Sequence, residues 1–225
     1  MDKIILYHGS ENIIKCPKLE LGKKNNDYGQ GFYCTRDIEL AKEWARKNNN
    51  KGYVNKYEVI LDGLKVLDLQ KAPFPILNWI TLLLKNREFD KDLITNEVTE
   101  LLINKFLIDL SLYDIVIGYR ADDSYFSYAQ SFLSNSISLK ELSYAMKLGK
   151  LGVQYVLVSK KAFENIKWLS SEEVDEEYYY LFRSRDIKAR KDFHSYLNSS
   201  KKTEDEIFAI DIIRNEVDEN DPRLR

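Results

Sequence analysis

Residues 53–61 set Tyr53, Asn55, Tyr57, Val59 and Leu61 on one side of an extended chain and Val54, Lys56, Glu58 and Ile60 on the other. That two-residue period marks a strand with two unlike faces. Two shorter apolar runs, Lys3 to His8 and Val153 to Ser159, read as buried strands. The strands and helices around them follow no regular β-α-β alternation. Such an order points to an α+β fold with antiparallel sheet.

The remaining pattern fills in that outline. Asp37 to Asn48 reads as a helix, with Asp37 as its cap and Ile38, Ala41, Trp44 and Ala45 on one face. Asp62-Gly63 is a tight-turn signal, and Leu64 to Leu69 follows as a second strand. From Pro73 to Leu112 the spacing turns helical, with Leu93, Ile94, Val98, Leu101, Leu102 and Phe106 at three- and four-residue steps. Tyr113 to Gly118 is a short apolar run. Ser138 to Leu148 reads as a helix closed by Gly149 and Gly152. Glu172 to Asn198 and Thr203 to Val217 read as two more helices. The expected organisation is a domain over 1–170 with a helical insertion at about 73–112, then a C-terminal helical extension over 171–225.

Composition narrows the function classes. An apolar fraction of 44% supports a real core, and 34 basic against 36 acidic residues leave a net charge of −2, with no global pull toward nucleic acid or acidic lipid. Cys16 and Cys34 are too few for a disulfide framework, and with only His8 and His194 as imidazoles no zinc cluster is expected. The first residues read as no signal peptide, and no stretch approaches the roughly 18 apolar residues of a membrane span. A cytoplasmic protein without membrane contact is expected. No Gly-rich Walker or Rossmann loop is present, so a nicotinamide cofactor would not be held in a dinucleotide-binding fold.

Chemistry concentrates in three segments: Leu6-Tyr7-His8-Gly9-Ser10, Tyr28-Gly29-Gln30-Gly31-Phe32-Tyr33-Cys34-Thr35 and Gln154-Tyr155-Val156-Leu157-Val158. Together they resemble the His–Tyr–Glu scaffold of the poly(ADP-ribose) polymerase-like clan, with Gln where that clan often has Glu. Over roughly residues 3 to 169 the chain also resembles a bacterial family of uncharacterised ADP-ribosyltransferase-like proteins. The shared pieces are the Tyr-His-Gly-Ser start, the Gly-x-Gly-Phe-Tyr segment, a Tyr-Arg-Ala-Asp-Asp-Ser-Tyr-Phe stretch and a Leu-Gly-x-Gln-x-Val-Leu strand. The resemblance implies a split antiparallel β-sheet core with inserted helices and NAD+ as co-substrate, without a metal. It implies that His8 orients the adenine-side ribose, that the Gly9 backbone, with Ser10 beside it, clamps the nicotinamide carboxamide, and that Tyr33 and Trp44 sandwich the nicotinamide ring. Gln154 falls on the position of the catalytic Glu and would hold the reactive ribose.

Some positions depart from the pattern. Gln30 replaces a common Lys, and Ala41 replaces a Ser that bonds the carboxamide. Gln154 can hold a hydroxyl but carries no charge and cannot act as a base. A single transfer, not chain elongation, is therefore expected. Asp122 and Asp123 could supply an auxiliary acid, or could be helix caps or solvated turn residues. Gly152, two residues before Gln154, rules out the acceptor-choosing Gln/Glu-x-Glu motif of arginine-targeting toxins.

The resemblance also implies a toxin or phage-defence setting, with a small antitoxin protein as partner and a protein or nucleic acid as acceptor. Two other readings stay open: an NAD+ glycohydrolase, and a non-catalytic module that binds NAD+ or a partner. Each residue also has an ordinary reading. A lone His after an apolar strand is usually structural, and Tyr33 and Trp44 could be core aromatics. The basic run Arg183 to Lys191 beside Tyr178-Tyr179-Tyr180 is most simply a solvated helix face, though it could meet phosphate.

Overall fold

Strand β1 (Lys3–Ser10) pairs antiparallel with β3 (Tyr53–Ile60), Lys3 opposite Ile60 and Ser10 opposite Tyr53. The other edge of β3 carries β7 (Ile166–Glu173), with a register shift between Lys56 and Tyr57. These three strands form one sheet in the order β1-β3-β7. A second sheet runs β2 (Phe32–Cys34), β6 (Val153–Leu157), β5 (Ile115–Tyr119), β4 (Val66–Asp68). The sheets join where Tyr7 and Thr35 exchange backbone hydrogen bonds of 2.7 and 2.9 Å. This computed structural model describes residues 2–48, 50–71, 73, 75–89, 96–121, 123–148, 152–200, 202–204, 206–214, 217 and 221–224.

Alternation on β5 and β6 sorts two cores. Ile115 and Leu157 are paired in register and fill the space toward the first sheet with Leu6, Phe32, Cys34, Tyr57 and Val59. Their neighbours Val116 and Val156, also paired, face the opposite way into the main core with Leu69, Trp79, Leu83, Leu102 and Phe132. Side chains one apart on a strand point to opposite faces, so a single strand can serve both layers.

Eight α-helices surround the sheets among the described residues: α1 (Ile38–Ala45), α2 (Pro75–Asn86), α3 (Asn96–Phe106), α4 (Asp123–Leu133), α5 (Leu139–Ala145), α6 (Lys160–Glu164), α7 (Glu177–Ser199) and α8 (Ala209–Arg214). Helix α1 starts where Asp37 accepts from the backbone of Glu39 and Leu40, which satisfies orphan N–H donors of the first turn. Ala41 and Ala45 on its buried face let it lie close on β1. Helix α5 starts with a capping box between Ser138 and Glu141.

Several sequence expectations are corrected. The α+β class holds, but the sheets are not wholly antiparallel, because β4 pairs parallel with β5. The Asp62-Gly63 turn forms, yet it does not close a hairpin: β4 leaves β3 for the other sheet. The helical stretch from 73 divides into α2 and α3, and Leu93 and Ile94 lie outside the described residues. Helix α5 is shorter than Ser138 to Leu148; Gly149 lies outside the described residues, and Gly152 adopts φ +81° on the way into β6. Glu172 and Glu173 belong to β7, so the long helix begins at Glu177, and the last predicted helix shrinks to Ala209–Arg214.

Candidate functional site

A cavity of ≈ 640 Å³ is bounded by the end of β1, by β2, by α1, by the start of β6 and by the loop over residues 12–31. It is lined by His8, Gly9, Tyr33, Trp44 and Gln154, which come from four different elements. The fold thus brings together the residues that the three motifs singled out. Ser10 does not line the cavity; its hydroxyl donates to the Asn12 carbonyl at 2.5 Å. Asp122 lies outside the described residues, and Asp123 opens α4.

His8 is half-buried, and its Nδ1 lies 2.6 Å from the Tyr33 carbonyl oxygen. A carbonyl only accepts, so Nδ1 carries the proton and the neutral ring keeps Nε2 as an acceptor. Burial favours that neutral form and lowers the imidazole from its ordinary value, against the opposite pull of the carbonyl. The ring rests on Phe32 at 4.4 Å between centroids.

Tyr33 is anchored at its far end. Its hydroxyl donates to Gly29 O at 2.6 Å and accepts from Tyr28 N at 3.1 Å. Burial pushes the phenol well up, so the hydroxyl stays neutral and the ring is left for stacking. Gln30 also ties the loop, donating to the carbonyls of Glu20 and Gly22 at 3.2 and 3.1 Å.

Gly9 lines the cavity, but the space of its missing side chain is taken by the protein itself. A Cβ there would fall on the Ala41 carbonyl oxygen and 2.7 Å from Ala45 N, both backbone atoms of α1. Glycine at this position brings α1, and with it Trp44, against β1.

Two polar atoms in the cavity wall have no hydrogen-bond partner among the described residues. The Gln154 side chain is 5% exposed and its Oε1 is buried without a hydrogen bond. The Trp44 indole N–H is likewise buried and unbonded. Buried polar atoms in folded proteins are nearly always satisfied, so exceptions mark places where something else completes the bonding. Among the described residues, no group of three or more His, Cys, Asp or Glu is placed to hold a metal ion.

Sequence reasoning missed the charged part of the wall. Arg120, at the end of β5, stands over the Trp44 ring at 4.8 Å and over Phe182 of α7 at 5.9 Å. One face of Trp44 is therefore covered by a guanidinium. Asp27 is 5% exposed; it accepts from Ala121 N at 2.8 Å and from Arg87 at 2.7 Å. Burial raises its carboxyl, while the Ala121 N–H, Arg87 and Arg120 pull it back. Behind Trp44, Glu43 is 2% exposed and pairs with Arg185 of α7 at 2.5 Å. Asn55 on β3 fixes the chain leaving β1: its amide oxygen accepts from Ile14 N, and its nitrogen donates to the carbonyls of His8 and Asn12. The one sequence signal for Asn55 was a polar residue on the apolar side of the Tyr53–Leu61 alternation.

Residues 4–168 match a family model described as a protein of unknown function (DUF3990), and the chain belongs to that family. No curated protein and no solved structure matches it.

Proposed function

We propose that this chain is an NAD+-dependent mono-ADP-ribosyltransferase, which moves ADP-ribose to a protein or nucleic-acid acceptor and releases nicotinamide. The observation that carries the reading is convergence: His8, Tyr33, Trp44 and Gln154 come from β1, β2, α1 and β6 and line one cavity. The division into two sheets, bridged between Tyr7 of β1 and Thr35 after β2, supports a split-sheet ADP-ribosyltransferase core. Charge supports it too, since Lys18, Lys23, Arg87 and Arg120 face Asp27 as the one carboxylate among the described lining residues, a balance suited to a diphosphate.

Each group then has a task. Nε2 of neutral His8 accepts from a ribose hydroxyl. The Tyr33 ring stacks on nicotinamide, and Oε1 of Gln154 accepts from the hydroxyl of the reactive ribose. Loss of nicotinamide leaves positive charge on the anomeric carbon, and preorganised dipoles lower that barrier. Gln154 contributes a dipole but no charge, which fits one transfer and not polymer growth. On the resemblance, the setting is a toxin or defence effector restrained by a small antitoxin protein.

One observation favours a module that binds NAD+ without turning it over. Asp27, the one carboxylate among the described lining residues, is already engaged by Arg87 and by the Ala121 N–H. The deciding experiment incubates the protein with labelled NAD+ and a cell extract, separated into protein and nucleic-acid fractions, beside His8→Ala. Label entering one fraction only with the intact chain is the expected result. Absence of both label and nicotinamide release, with NAD+ still bound, would leave the binding module standing; nicotinamide release without label would identify a glycohydrolase.

A further inference from the structure

A second pocket of ≈ 570 Å³ lies among α2, α5, α7 and the C-terminal segment, away from the motif residues. Tyr119 lines it, whereas the next residue, Arg120, lines the first cavity, so the end of β5 divides the two. Three observations in this pocket point to one kind of ligand.

The first is a carboxylate. The Glu206 side chain is 2% exposed, and among the described residues neither of its oxygens meets a hydrogen-bond donor. Lys140 stands 4.0 Å from one of them with a side chain 61% exposed, and Arg223, which also lines the pocket, is paired with Asp221 at 2.6 Å. A carboxylate withdrawn from water needs donors, and this one lacks them. The second is an aromatic platform: Tyr144 and Tyr196 are stacked at 3.8 Å and 19°, with Tyr144 39% exposed. The third is the rim, where the exposed Lys140 and Lys147 lie on and just after the same helix as Tyr144.

We propose that this pocket binds a guanine nucleotide. Guanine presents N1–H and the 2-amino group side by side, two donors that match the two oxygens of Glu206. Adenine and cytosine set an acceptor beside their amino group on that edge and would turn a lone pair toward the carboxylate. A guanidinium also offers paired donors, but Lys140 and Lys147 repel a cation and attract the phosphate of a nucleotide. Tyr144 stacks on the purine face.

The test uses the full chain without NAD+, so its outcome is independent of the transferase reading. GMP, AMP and N-acetylarginine amide are titrated calorimetrically, with r(UUGUU) and r(UUAUU) in parallel. GMP is expected to bind at least about tenfold more tightly than AMP, from one good bidentate contact. Glu206→Gln should erase that preference, and Tyr144→Ala should weaken both nucleotides. Tighter binding of r(UUGUU) than of GMP supports RNA as the source of the guanine; the reverse supports a free nucleotide. Equal affinity for GMP and AMP, a preference unchanged in Glu206→Gln, or selective binding of the arginine derivative overturns the proposal. Thermal melts guard against a folding artefact: Glu206→Gln should melt no lower than the parent, and a lower melt would show that Glu206 serves the fold through Lys140 and would overturn the proposal.

Discussion

A carbonyl oxygen sealed from water without a donor costs the fold about 1–3 kcal/mol. Oε1 of Gln154, a residue 5% exposed, is such an atom among the described residues. Gln154→Leu is therefore expected to stabilise the free protein by about 1 kcal/mol in urea titrations. On the proposed function NAD+ raises the Tm of the parent, and the same variant should lose that rise; a rise that survives would take Gln154 out of the site. On the proposed function, Gln154→Glu introduces the carboxylate that the resembled clan often has at this position and should speed nicotinamide release, by on the order of 100-fold if it acts in proton transfer. His8 makes a pH prediction. Burial holds its folded-state value below the ordinary 6.5, so below that pH the unfolded chain binds a proton that the folded chain resists. Its contribution is full above pH 6.5 and is lost as pH falls through the window beneath it. Between about pH 7 and pH 5 the parent should lose more Tm than His8→Gln, and equal slopes in the two proteins would contradict this.

Helix α1 is held from both sides. Gly9 admits it onto β1, and α7 grips its outer face through Arg185 to Glu43 and through Tyr178 to Glu39 at 2.6 Å. Removing Arg185 leaves the Glu43 carboxylate buried without its counter-ion, so Arg185→Ala should cost about 3 kcal/mol and loosen Trp44. Equilibrium unfolding measures the first effect and Trp44 quenching by acrylamide the second. This helix was readable in advance because its cap, Asp37, and its apolar face, Ile38, Ala41 and Ala45, are local in sequence. Strand β7 was not, because only Ile166 and Trp168 alternate before Leu169 to Glu173 become mostly exposed, and an edge strand needs few apolar residues. The partner of β4 was hidden for a different reason: pairing with β5 is a distant contact that no window around Val66–Asp68 contains. In the site, His8, Tyr33 and Gln154 could be found because they sit in motifs, and Trp44 because the resemblance expects an aromatic there. Arg120 lies in the Tyr-Arg-Ala-Asp-Asp stretch, where the two aspartates drew the reading instead. Asp27 and Arg87 could not be found, since a loop acid and a helix-end arginine look like ordinary surface until the fold joins them.

At the scale of the whole molecule, the C-terminal segment is part of the core. Phe193, Ile207, Ala209, Ile212 and Leu224 join the cluster that contains Trp79, Leu102 and Phe132. A chain cut after Val174 should therefore lose cooperative unfolding in urea, whereas an independent core would keep a sharp transition. The cavity is a product of distant contacts as well. Tyr33 faces Val156 across the β2–β6 pair, and His8 reaches the pocket from the opposite sheet. Distant pairings carry the greatest loop-closure cost and tend to form late. On the ribosome the consequence is temporal. At about 5–20 residues per second, Gln154 is made roughly 6–24 s after Tyr33, and α7 later still. The nascent chain has no complete pocket during that interval, so the cavity exists only in chains that have already been extended past Gln154.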